Sequence, residues 1–125
     1  MILDTNALSA LAQRDAALLL KLRAAAQVYL PIIALGEFRF GLENSRHRAE
    51  LLTWFETLIK QHPVLTVELE TLPHYAAIRK ELKAAGTPIP ANDVWIAALA
   101  RQQDLPVVSN DTDFDRVSGL RRIRW

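Results

Sequence analysis

Short, continuous apolar runs alternate along this chain with longer segments whose apolar residues recur at helical spacing. Met1-Ile2-Leu3 is too short for a helix and does not alternate with polar residues, so it reads as a strand buried on both faces. A short helical turn follows Asn6, with Ala7, Leu8 and Leu11 inward. Asp15 is placed to cap a second helix whose stripe is Leu18, Leu19, Leu22 and Ala26. Val28-Tyr29-Leu30 is a strand closed by Pro31. A helix over 33–44 carries Glu37, despite the propensity cost of Gly36 and Gly41, which can also let another backbone approach closely. A further helix over 47–62 has Leu51, Leu52, Phe55, Leu58 and Ile59 on one side.

After Pro63 the run Val64 to Val67 is the next strand. Residues 69–85 place Leu72, Tyr75, Ala76, Ile78 and Leu82 at helical spacings, and Gly86 suits the end of that helix. Thr87-Pro88-Ile89-Pro90 is a stiff connection that cannot be helical. A helix then runs from Ala91-Asn92-Asp93 to Gln103, striped by Ile96, Ala97, Leu99 and Ala100, and ends at Asp104 and Pro106. Val107-Val108 is a buried strand, 110–114 a polar loop, and 120–125 a closing edge strand. Strands alternating with helices predict a three-layer α/β/α sandwich with a mostly parallel sheet of four or five strands, in one domain over 1–125.

Composition narrows the class. With half of its residues hydrophobic and 23% charged, the chain can build a core and is not a disordered one. The absence of cysteine excludes disulfides and thiolate metal ligands and fits a reducing, cytoplasmic compartment. The longest apolar runs fall far short of a membrane span. A net charge of +1 does not decide for or against a nucleic-acid partner.

Candidate chemistry lies in the acids. Asp4 ends the first strand, Glu37 lies in the helix after the second, Asp93 opens the helix after the proline connection, and Asp111 follows Val107-Val108. A doubly wound sheet gathers strand ends and helix starts at one edge. Carboxylates gathered there repel one another, which calls for a raised pKa or a cation. A hard divalent ion such as Mg²⁺, held by a few carboxylates, can activate water for phosphodiester hydrolysis. Each acid also has a purely structural reading. Asp4 can cap the first helical turn, Glu37 can be a solvated helix residue, Asp93 can complement a helix dipole, and Asp111 and Asp113 can stabilise a turn. The residues alone leave nuclease, phosphatase and phosphotransfer domains open.

Ile2-Leu3-Asp4-Thr5-Asn6, Glu37-Phe38-Arg39-Phe40-Gly41, Asn92-Asp93-Val94-Trp95-Ile96-Ala97 and Val108-Ser109-Asn110-Asp111-Thr112-Asp113-Phe114 occur in that order, before Gly119-Leu120 and a terminal Trp125. Together they resemble the PIN-domain family, in particular its small VapC-type toxins, over essentially the whole chain. Phe38 stands where a leucine is commoner. The resemblance implies a Mg²⁺- or Mn²⁺-dependent endoribonuclease with Asp4, Glu37, Asp93 and Asp111 at its metal site, Glu37 through water or directly, and Asp113 as an alternative ligand. It also implies a VapB-type antitoxin whose tail blocks the site, an RNA substrate and a homodimer. Thr5 and Asn6 can orient Asp4 or a bound water, Asn92 can do the same for Asp93 or cap its helix, and Arg39 can meet RNA phosphate or an antitoxin carboxylate.

Other readings are weaker. His47, His62 and His74 are dispersed and form no zinc pair. Trp54, Phe55 and Trp95 serve the core, with part of that surface available to a dimer. A phosphatase of the haloacid-dehalogenase type also opens on a strand and an Asp, but it needs a second Asp two residues on, where this chain has Asn6. A non-catalytic domain that only binds RNA or a partner is the remaining alternative.

Overall fold

The first strand, predicted from three apolar letters, is the centre of the sheet. The computed structural model covers residues 1–125. Its strands are β1 (Ile2–Leu3), β2 (Leu30–Pro31), β3 (Val64–Leu65), β4 (Val107–Val108) and β5 (Arg122–Ile123). Its helices are α1 (Thr5–Ala12), α2 (Ala16–Arg23), α3 (Ile32–Leu42), α4 (Arg48–Gln61), α5 (Thr71–Ala84) and α6 (Ala91–Gln103), with a 3₁₀ turn over Thr112–Arg116. Every strand pairing is parallel, in two ladders, β1-β4-β5 and β2-β3. A parallel bridge between Ile2 and Tyr29 joins them, with Tyr29 N–H donating to Met1 O at 2.8 Å and Leu3 N–H to Tyr29 O at 3.1 Å. The order is therefore β3-β2-β1-β4-β5. The chain leaves β1 toward one side and returns to β4 on the other, which makes the β1/β4 boundary the topological switch point where ligands bind in such sheets.

Helices flank this sheet as expected of an α/β sandwich. The core is one cluster in which Ile2, Leu3, Leu30, Val107 and Val108 of the strands are fully buried with Leu8, Leu18, Ile78, Ile96 and Leu99 of the helices. Local signals read from sequence hold where they are stereochemical. Asp15 caps α2 by accepting from Leu18 N–H at 2.9 Å. Gly86 follows α5 at φ +69°, a conformation that favours glycine, and Asp104 closes α6 in the left-handed region.

Several expectations are corrected. Pro31 does not close β2 but belongs to it, opposite Leu65, and then forms the N-cap of α3, a position that needs no N–H. The strands are two residues long each, and helices begin almost at once after β1 and β2. Ala26 is exposed beyond α2. An added Cβ at Gly36 or Gly41 would meet nothing within 4 Å, so neither glycine serves a close backbone approach within the chain. The inward face of α5 is set by Thr71, Tyr75, Ile78 and Leu82, while Leu72 and Ala76 are exposed.

Thr71 explains that phase. It is fully buried, donates to Gln102 Oε1 at 2.7 Å and accepts from Glu68 N–H at 3.0 Å. A polar side chain so satisfied can enter the α5–α6 interface without cost from unmet hydrogen bonds. Thr71→Val keeps the shape and leaves two partners unmet, so urea unfolding should show a loss of about 1–3 kcal/mol, whereas exposed Leu72→Gln should change the midpoint little.

Candidate metal centre

At the switch point, β1 runs into Asp4, whose backbone N–H still donates to Val108 O at 3.4 Å. Helix α1 starts at the next residue, and Asp4 Oδ1 caps it by accepting from Ala7 N–H at 2.7 Å. Asp4 Oδ2 accepts a short hydrogen bond from Ser109 Oγ, at the exit of β4. The side chain is only 3% exposed. The cap and the site are thus the same residue. Each carboxylate oxygen has two lone-pair directions, so one remains on each.

The β4 exit continues the pattern. Ser109 Oγ accepts from Asp111 N–H at 2.9 Å, and Asp111 Oδ1 accepts from Asp113 N–H at 2.8 Å as it caps the 3₁₀ turn. Asp93 sits in the first turn of α6 and Glu37 in α3. Carboxylate oxygens of Asp93, Asp111 and Asp113 lie within 4.8 Å of one another. Asp4, Glu37, Asp93 and Asp111 line a single cleft of about 400 Å³, together with Thr5, Asn6 and Asn92. The fold thus brings all the expected acids to one place.

The supporting residues sort differently. Thr5 Oγ1 donates to Glu37 Oε2 at 3.0 Å, so it positions Glu37 rather than Asp4. Asn92 does not cap α6, because Pro90 holds that position and places Asn92 within the first turn, exposed beside Asp93. Asn6 is exposed in the first turn of α1. Arg39 is paired with Glu43 one turn on and does not line the cleft. Two residues escaped the sequence reading. Ser109 is fully buried and links Asp4 to Asp111, and its only signal was a polar residue directly after a buried strand. Arg116 lies 3.1 Å from Asp113 Oδ1 and donates to Pro88 O at 3.4 Å.

No lysine or arginine lines the acidic cleft. Burial raises the Asp4 carboxyl above its usual range against the pull of Ser109 and the Ala7 N–H, and Asp111 and Glu37 add to the rise. Burial also pushes Asp93 up to about 6, helped by the charges of Asp111, Glu37, Asp4 and Asp113. An all-carboxylate donor set that resists ionising together fits a hard divalent cation, which would supply the missing positive charge.

Comparison with known proteins agrees with this geometry. Residues 1–120 match the PIN domain family. The chain is 34% identical over 94 residues to the tRNA(fMet)-specific endonuclease VapC of Shigella flexneri, covering 74% of this chain and 71% of that protein. Its fold is similar to the structure of DNA-bound VapBC from Salmonella typhimurium, with a TM-score of 0.88, 28% identity, and coverage of 99% of this chain and 96% of that one. VapBC2 from Rickettsia felis, at 21% identity, shares the fold with a TM-score of 0.90 over 99% of this chain and 97% of that one. These matches displace the phosphatase alternative.

The raised Asp93 carboxyl has a definite sign. In the unfolded chain it ionises near 3.8, but in the fold near 6, so between these values the folded state binds more protons. Its contribution to stability is present below the unfolded value and is lost as pH rises through about 6. The melting temperature of metal-free protein should therefore fall as pH rises from 4 to 7, and Asp93→Asn should flatten that slope. MgCl₂ at matched ionic strength should raise the melting temperature at neutral pH and do so less as Asp93 protonates. An Asp93→Asn slope equal to that of the native protein would count against this assignment.

Proposed function

The chain belongs to the PIN-domain family, and from that membership we propose that it is a Mg²⁺-dependent endoribonuclease acting as the toxin of a toxin–antitoxin pair. The single observation that carries the reading is the convergence of carboxylates from β1, α3, α6 and the β4 exit on one cleft without a basic wall. Asp93 and Asp111 would hold the ion, with Asp113 beside them and Asp4 and Glu37 completing the cleft. Mn²⁺ can substitute, since it accepts the same oxygen donors. When bound, such an ion polarises a phosphodiester and lowers the pKa of attacking water.

The chain's own residues set the conditions for that chemistry. Asp4 is fixed by two hydrogen bonds, so its remaining lone pairs keep a constant direction. Thr5 holds Glu37 at the rim, where a carboxylate can accept a proton from water.

A VapB-type antitoxin is the proposed partner, and the Salmonella typhimurium relative is a VapBC assembly. A groove of about 360 Å³ begins at Thr5 and Glu37 and continues along Ala12, Phe38, Leu42 and Leu51. It suits an apolar antitoxin segment that ends in an arginine or lysine among the acids, a charge-assisted contact that replaces the cation. A homodimer is the proposed form of the toxin, supported by Phe40 (79% exposed) and Ile32 on the outer edge of α3, beside Glu37 and Asn92. No helix is long and apolar enough to cross a membrane, and the cytoplasm is the proposed compartment.

The test is end-mapping of RNA treated with purified protein in Mg²⁺ and in chelator. New ends should appear only with Mg²⁺. Asn preserves the α1 cap while removing charge, so Asp4→Asn should fold normally and cleave on the order of 100-fold more slowly. Asp93→Asn should behave alike, and Glu37→Gln less severely. Native-rate cleavage by Asp4→Asn would leave Asp4 as a cap alone. For the partner, alanine at the inserted cation of the co-purifying antitoxin should release RNA cleavage, and inhibition that persists would refute the charge-replacement contact.

A further inference from the structure

Ala91, at the start of α6, lines two depressions. One is the acidic cleft. The other is a groove of about 620 Å³ between α5 and the connection that leads into α6, with Arg79, Lys80 and Lys83 on one wall and Pro88 and Ile89 on the other. None of these three cations forms an ion pair within the chain. Glu81, the acid on the same stretch of α5, is held by both terminal nitrogens of Arg101 at 3.2 and 3.1 Å, and no acid lines the groove. Arg79 is positioned as well, since it donates to Tyr75 Oη at 3.0 Å and lies 5.7 Å from that ring's centroid. Arg116 ties the two depressions together by contacting Asp113 of the acidic cluster and the carbonyl of Pro88 on the groove wall.

An acid-lined cleft repels the phosphates on either side of a scissile linkage, so affinity for a polyanion must come from elsewhere on the same surface. Unpaired cations beside an apolar lip supply what a single strand needs, charge for its phosphates and a surface for sugar or base. We propose that the α5 groove binds the sugar–phosphate backbone of a single-stranded RNA segment whose adjoining linkage enters the acidic cleft at Ala91. The proposal rests on the nuclease reading and adds to it the path of the substrate. Arg79, Lys80 and Lys83 act here as binding residues, not in the chemistry.

Binding is measured by fluorescence anisotropy of a labelled, mixed-sequence single-stranded RNA in EDTA, where no hydrolysis competes, at increasing KCl. Three phosphate contacts should give the native protein a log–log salt slope of about −2, and Arg79→Ala/Lys80→Ala/Lys83→Ala should lose that slope and on the order of tenfold or more in affinity at low salt. The double variant Lys80→Ala/Lys83→Ala, which leaves Arg79 on Tyr75, should lose an intermediate amount, and Arg79→Lys/Lys83→Arg should retain binding. With MgCl₂ the triple variant should show a raised KM on the same RNA at an unchanged kcat. Equal affinity and slope in the native and triple-variant proteins overturn the proposal, as does a groove that binds a Glu-rich peptide but not RNA. If native protein cleaves RNA while the triple variant matches it, the groove assignment alone fails. If native protein binds through the groove but never cleaves, the nuclease reading alone fails.

Discussion

Asp4 cannot be moved without disturbing three elements. Its backbone extends β1 against Val108, one carboxylate oxygen caps α1, and the other accepts from Ser109 at the exit of β4. Burial of a carboxyl is costly unless its lone pairs are met, and the raised pKa of Asp4 records that desolvation outweighs the two bonds. The bonds nevertheless fix direction. From Ser109 a continuous series runs through the Asp111 and Asp113 backbone N–H groups, so one buried junction sets the relative positions of three acids. Rigidity at the site is thus inherited from the parallel pairing of β1 and β4, the two strands on either side of the switch point.

That arrangement works against the stability of the metal-free chain. Asp4, Glu37, Asp93 and Asp111 share one cleft with no lysine or arginine on its wall, and their mutual repulsion contributes to the shift at Asp93. The N-terminal ends of α1 and α6 ease it somewhat, because Asp4 caps one and Asp93 lies in the first turn of the other. The larger compensation is remote. Strands β1 and β4 are fully buried, and α6 is almost wholly buried from Val94 to Ala100. The apolar layer directly beneath the cleft therefore carries a site that would not hold together by its own electrostatics.

Much of this was legible in the sequence because it depends on neighbours in the chain. The apolar run before Asp4, the cap at Asp15 and the positive-φ Gly86 are local stereochemistry, and they read correctly. Asp4, Asp93 and Asp111 were recognisable because each follows a strand or opens a helix, where topology rather than side-chain contact determines the meeting point. Glu37, by contrast, lies midway along α3 and was legible through its motif. What failed was anything decided by a distant partner. Leu72 and Ala76 look as apolar as Ile78, but Gln102, 31 residues on from Thr71, holds that threonine inside and turns them out. Ser109 reaches Asp4 across 105 positions, and no spacing rule could single it out. Thr5 was read as orienting Asp4 or a bound water, and its bond to Glu37 on another helix was not foreseen.

Net charge misleads for the same reason. A balance of +1, from 15 basic and 14 acidic residues, suggests an electrostatically neutral surface. In the fold the signs are sorted. Acids line the cleft at the switch point with no lysine or arginine on its wall, and cations line the groove beside it with no acid on its wall, with Ala91 common to both. Glu81 could have cancelled part of that groove but is engaged by Arg101, while Glu43 is taken up by Arg39 and Arg48. Ion pairing of these neighbouring acids leaves the cations of the groove without a partner of opposite sign. Potentials of opposite sign side by side steer a polyanion toward the groove and away from the metal-free cleft. The information absent from the composition lies in which charges are left without partners.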